Sequence, residues 1–204
     1  MNWLAHIFLS EYSVEFQIGN YISDPLKGKA WENASDDVKK GITTHKIIDG
    51  FCDDNIHFIN SKNRLKTKGL LRGVAVDLIY DYLLTKNWNK FCNIDFETFT
   101  HTFYKQTRVL LKTYPLNVQN ELRKIVDYEL LHAYSNLEDL SLAFKRIDRR
   151  LSPRLLLRDT LTSYISPTFE NIDEIEKDFL EFFPIICEEI KKHTNAQRLN
   201  HWKM

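Results

Sequence analysis

The chain has 204 residues, 43% hydrophobic and 27% charged, with 28 basic residues against 28 acidic ones. That length suits a single domain over 1–204 with one core, and zero net charge gives no bulk attraction for nucleic acid or for a membrane. No run approaches the roughly 18 apolar residues of a membrane-spanning helix, the short apolar opening Met1–Ser10 lacks the basic start of a signal peptide, and Cys52, Cys92 and Cys187 without CxxC spacing suit a reducing cytoplasm rather than zinc.

Most segments carry helical periodicity and few alternate strictly. A short helix is expected over about 2–11, and a second over about 15–27, punctuated by Gly19 and Asp24-Pro25. Ser35-Asp36-Asp37 supplies N-cap chemistry for a long helix running to about 60. Gly69 starts the next, which ends near Lys86; Asp95 opens one carrying Phe96, Phe99 and Phe103; Pro115 opens another. Further helices cover about 136–151, 154–163 and 170–192, the last with Pro184 inside it as an expected kink. The fold class is all-α, a bundle of about seven or eight helices.

Two of these helices place titratable groups on stripes that read as buried faces. Val38, Ile42, His45, Asp49, Cys52, Ile56 and Ile59 form the first, and Leu70, Val74, Asp77, Asp81 and Leu84 the second. Burying an unpaired carboxylate costs at least several kcal/mol. Two helices that each give two core positions to such groups point to a bound cation, a divalent metal being the economical choice. The plainer alternative is that these groups face solvent or pair with arginines. Residues four apart share a helix face, so each pair can hold one ion. Gly41, a turn before His45, and Gly50 beside Asp49 leave room for a neighbouring helix or a ligand.

His6 lies in an almost wholly apolar helix, where a histidine ordinarily satisfies itself within the core. Asp24 precedes Pro25, which pushes it out of α geometry into a cap or a rigid, exposed position. Carboxylates with one or two imidazoles suit Mn²⁺ or Mg²⁺. No HExxH, Walker loop, GxGxxG or GxSxG occurs, and the one ExxH, Glu129 to His132, falls short of the pair that a di-iron bundle needs.

Met1-Asn2-Trp3-Leu4-Ala5-His6, Gly19-Asn20-Tyr21-Ile22-Ser23-Asp24, Gly41-Ile42-Thr43-Thr44-His45-Lys46-Ile47-Ile48-Asp49 and Asp77-Leu78-Ile79-Tyr80-Asp81-Tyr82, in this order and spacing, resemble the acyl carrier protein phosphodiesterase family. Arg149-Arg150 with Arg154, and Phe182-Phe183-Pro184, extend the likeness more loosely through the second half. The resemblance implies an all-helical, HD-domain-like fold and hydrolysis of holo-acyl carrier protein to apo-carrier protein and 4′-phosphopantetheine, with Mn²⁺ or Mg²⁺ as cofactor. The chain has no adjacent His-Asp pair, and His45-x3-Asp49 stands in for it. Where family members carry histidine after Asp81, this chain has Tyr82.

On that basis His6, Asp24, His45, Asp49 and Asp77 are the expected metal ligands. Asp81 is the expected proton acceptor, and Arg149, Arg150 or Arg154 would hold the non-bridging oxygens. The basic run Lys62, Arg64, Lys66, Lys68 and Arg72 is either a solvated face or a docking surface for an acidic carrier. The competing readings are an HD-type phosphohydrolase acting on a nucleotide or another small phosphoester, and a helical scaffold without chemistry.

Overall fold

The first helix, α1 (Trp3–Phe8), has six residues, too few to stand alone in water. The rest of the chain is arranged to hold it. After it come α2 (Val14–Ile22), α3 (Asp36–Asp54), α4 (Ile56–Leu65), α5 (Arg72–Lys86), α6 (Trp88–Phe91), α7 (Phe96–Leu110), α8 (Leu116–Asp127), α9 (Leu137–Asp148), α10 (Pro153–Leu156) and α11 (Ile165–Lys191). The computed structural model describes residues 1–66 and 68–203, and among these there is no strand. Eight helices reach seven residues or more, as the periodicity predicts.

One apolar core runs from Met1 to Trp202. Helix α5 lies deep within it and contacts α1, α4, α9 and α11, while α2 packs along α3. That last packing is unusually close. A Cβ on Gly41 would come within 2.1 Å of the Phe16 carbonyl oxygen and 2.7 Å of the Asn20 amide, and one on Gly19 within 2.2 Å of the Val38 oxygen. The two glycines therefore let two backbones touch. Gly50 has open space around it, so the expectation of a close neighbour there does not hold.

Several boundaries differ from the periodicity. The long helix expected to reach about 60 breaks at Asn55, whose backbone is extended and whose side chain accepts the His57 amide at 2.9 Å. Asparagine's own cap chemistry overrides the apolar spacing there. Ile56 is consequently 58% exposed, not a continuation of the buried stripe. The helix expected from Gly69 begins at Arg72, because the Leu71 amide is taken by Asp159 at 2.9 Å. Leu70 and Val74 are exposed and Asp77 is half-buried, so the second stripe is buried only at Asp81 and Leu84. The stretch expected as a helix over 154–163 is the short α10 followed by a 3₁₀ turn at Leu161–Tyr164, and α11 starts earlier than expected and continues through Pro184.

The ends of α1 are satisfied from elsewhere in the chain. Its Leu4 and Ala5 amides donate to the two oxygens of Asp81, at 2.9 and 3.0 Å. This cross-chain carboxylate does what the local cap, Asn2, does not do with its side chain. At the other end, the Phe8 carbonyl accepts from His201 Nε2 and Trp202 Nε1, both at 2.9 Å. The segment carrying those residues is tied down by Arg198, which pairs with Glu11 at 2.8 Å and with Asp37. No helix of the described residues is long and apolar enough to cross a membrane.

Candidate metal centre

Four segments meet beside α1. His6 and His45 are both buried, and their rings stack at 4.0 Å between centroids, 15° from parallel. Asp49 lies against both: Oδ1 is 3.3 Å from His6 Nε2 and Oδ2 is 3.1 Å from His45 Nε2. One donor atom from each of the three residues falls within 4.8 Å of the others. Asp24, exposed at the turn before Pro25, brings Oδ1 to 3.1 Å from His45 Nε2. Asp77 joins through the Met1 ammonium, which sits 2.9 Å from its Oδ1 and 3.6 Å from Asp49 Oδ1. Of the five expected ligands, His6, His45 and Asp49 come together, Asp24 touches His45, and Asp77 is linked to them only through the Met1 ammonium.

Hydrogen bonding shows which nitrogens are free to bind an ion. His45 Nδ1 is 2.7 Å from the Asn20 carbonyl oxygen, an acceptor, so Nδ1 carries a proton. His6 Nδ1 lies 2.8 Å from Asn20 Oδ1. Each neutral ring therefore has its lone pair on Nε2. Those lone pairs face only oxygens, the Met1 carbonyl at 3.0 Å and Asp49 for His6, Asp24 and Asp49 for His45. The Met1 ammonium lies between Asp49 and Asp77. Two imidazole nitrogens with carboxylate oxygens fit a divalent ion such as Mn²⁺.

The electrostatics agree. Burial opposes a charge on His6 and keeps it below the ordinary histidine value. Burial opposes one on His45 too, but hydrogen bonds to Asp24 and Asp49 outweigh it and push this ring up to about 9. Burial works against the Asp49 charge, yet the two imidazoles and the ammonium hold its carboxyl well below the usual range. The Met1 ammonium, despite burial, is pushed up to about 12, chiefly by Asp77.

A pH dependence follows for the metal-free protein. The charge on His45 stabilises the fold fully below 6.5, and that contribution is lost as pH climbs through about 9. The raised value corresponds to about 3 kcal/mol at most. Thermal denaturation of chelator-treated protein between those limits should show a falling Tm, with a shallower fall in His45→Gln. Equal slopes in the two proteins would show that His45 does not carry the effect.

Other expected residues lie elsewhere. Asp81 is 1% exposed and has both oxygens engaged by α1, which makes it an anchor of that helix. Arg150 and, one turn before it, Arg146 are exposed, and their charges act on Tyr134. Arg149 and Arg154 are exposed on the C-terminal end of α9 and on α10. In the basic run, Arg64 is clamped to Asp178 through contacts of 2.6 and 3.1 Å. Arg72 binds Asn63 and the Lys66 carbonyl. Lys62 lies over the Phe58 ring, Lys66 donates to Ser163, and Lys68 is exposed. Tyr82 is buried, and the charges acting on it belong to Lys86, Glu176 and Glu138, none of them in the cluster. Sequence reasoning missed Asn20 and the Met1 ammonium.

The family model described as acyl carrier protein phosphodiesterase matches residues 1–186. The chain is 26% identical over 194 residues to an acyl carrier protein phosphodiesterase of Photorhabdus laumondii, covering 92% of this chain and 94% of that one. It is 22% identical over 194 residues to that of Escherichia coli O6:H1, covering 94% and 98%, and 23% identical over 187 residues to that of Enterobacter sp. strain 638, covering 90% and 94%. No solved structure matches. With the matched region taking in α1 to α5 and every residue of the cluster, the chain belongs to the acyl carrier protein phosphodiesterase family.

Proposed function

We propose that this phosphodiesterase uses a divalent cation, Mn²⁺ or Mg²⁺, to hydrolyse holo-acyl carrier protein to apo-carrier protein and 4′-phosphopantetheine. The observation that supports the metal is the convergence of one donor atom each from His6, His45 and Asp49 within 4.8 Å of one another. His6, His45, Asp49 and Asp77 would hold the ion, with Asp24 completing the set. Bound there, it supplies positive charge to a phosphoryl oxygen and lowers the pKa of water. The chain's own groups do the rest. Asp24, the most exposed carboxylate of the cluster, is placed to accept a proton from solvent. Arg146 and Arg150, whose charges act on Tyr134, would hold the non-bridging oxygens. The named relatives favour a carrier protein over a nucleotide as substrate.

Docking of an acidic carrier falls to the unclamped part of the basic run. Arg64 is committed to Asp178, which leaves Lys68 and Lys66 as the accessible charges. Purified protein incubated with holo-carrier and Mn²⁺ should release the phosphopantetheine arm, read by mass spectrometry, and a chelator should stop it. Failure to form apo-carrier with Mn²⁺ or Mg²⁺ defeats the proposal. Reversing Lys66 and Lys68 to glutamate should slow turnover at low salt and less so at high salt. Unchanged low-salt turnover in the double variant removes the docking assignment alone.

A further inference from the structure

The structure assigns Asn20 as the positioning residue that fixes both imidazoles of the cluster, with its side chain for His6 and its backbone for His45. This rests on the metal reading above and names the part that makes the site competent. Asn20 is fully buried near the end of α2. Its Nδ2 donates to the His6 carbonyl at 2.8 Å and to Ser10 Oγ at 3.0 Å, while Ser10 Oγ donates to the same His6 carbonyl at 2.8 Å. These partners fix the orientation of the amide. Turned over, Oδ1 would face the His6 carbonyl oxygen, two acceptors in contact. Oδ1 must therefore point at His6 Nδ1, 2.8 Å away, and that nitrogen must bear the proton.

The backbone of the same residue treats the second ring alike. The Asn20 carbonyl takes the proton of His45 Nδ1 at 2.7 Å. It reaches α3 because Gly41 allows α2 so near; a Cβ there would lie 2.7 Å from the Asn20 amide. One residue thus keeps both Nδ1 atoms protonated and aims both Nε2 lone pairs at Asp49. A partner on the far ring nitrogen of a ligand histidine is commonly worth about tenfold to a hundredfold in metal affinity.

The test uses full-length protein carrying ¹⁵N-histidine, loaded with Mg²⁺ for NMR, and Mn²⁺ titration followed by EPR. In the wild type, ring nitrogen shifts should show His6 and His45 protonated at Nδ1 only. Asn20→Leu should move His6 alone to the Nε2–H form, leave His45 unchanged, and weaken Mn²⁺ binding at least about tenfold. Asn20→Asp keeps an acceptor against Nδ1 and should keep the proton on that His6 nitrogen, although its second oxygen loses the donation that the amide makes to the His6 carbonyl. Ser10→Ala removes a hydrogen bond to the same carbonyl without touching either ring, and should leave affinity within about twofold, separating positioning from mere packing. An unchanged His6 tautomer and unchanged affinity in Asn20→Leu overturns the assignment, as does a wild-type His6 protonated at Nε2. If the wild type binds no Mn²⁺, the metal reading fails, and the tautomers still decide what Asn20 does.

Discussion

Asn in place of Asp49 is expected to abolish Mn²⁺ binding and phosphodiester hydrolysis together. Asp49 touches both imidazoles and lies 3.6 Å from the Met1 ammonium, so it is the shared wall of the cluster. A carboxamide of the same shape removes the negative charge and also brings an NH₂ group. That group can donate to one Nε2 lone pair, giving the ring a partner where the wild type leaves room for an ion. Loss of several kcal/mol of charge stabilisation corresponds to a rate fall on the order of a thousandfold. The Mn²⁺-induced rise in Tm should vanish with it, since a ligand stabilises only a fold that binds it. A variant that still gains stability from millimolar Mn²⁺ would show that the ion sits elsewhere.

The second large effect is expected at Asp81, on stability rather than chemistry. Asp81→Ala strands two buried amides, Leu4 and Ala5, at roughly 1–3 kcal/mol each. Denaturant unfolding should register a loss of about 2–5 kcal/mol. Asp81→Asn keeps one acceptor and should lose about half as much. Burial raises the Asp81 carboxyl to about 7 even with two amides donating to it, so part of the Asp charge is already costly and a neutral acceptor is tolerated. The same Asn variant tests the role of proton acceptor. If it folds as well as the wild type and still turns over about a thousandfold more slowly, Asp81 acts on the reaction after all.

The helical class and the pairs His45–Asp49 and Asp77–Asp81 were readable from spacing, whereas His6 and Asp24 came in only through the family resemblance. His45 and Asp49 share a face because they are four apart, and that is local geometry. Asp77 and Asp81 look identical by the same measure, yet one faces the cluster and the other caps α1, a difference set by where α1 docks on α5. Periodicity carries no information on that docking. Helix boundaries failed at Asn55 and Leu71, where one side-chain hydrogen bond outweighed the apolar pattern. The basic run read as a single surface, but Arg64 finds Asp178, 114 residues away in sequence. Asn20 was invisible because its value lies in two contacts whose partners come from α1 and α3.

Order of synthesis adds a constraint. The residues of the cluster all emerge from the ribosome within the first 77 positions, but the helix bearing His6 is finished by His201 and Trp202, which close on Phe8 across 193 and 194 positions. Those two residues lie past the region that the family model matches. A nascent chain would therefore hold its histidines and aspartates for most of its translation without the scaffold that aligns them. Alignment of the cluster is then among the last events of folding.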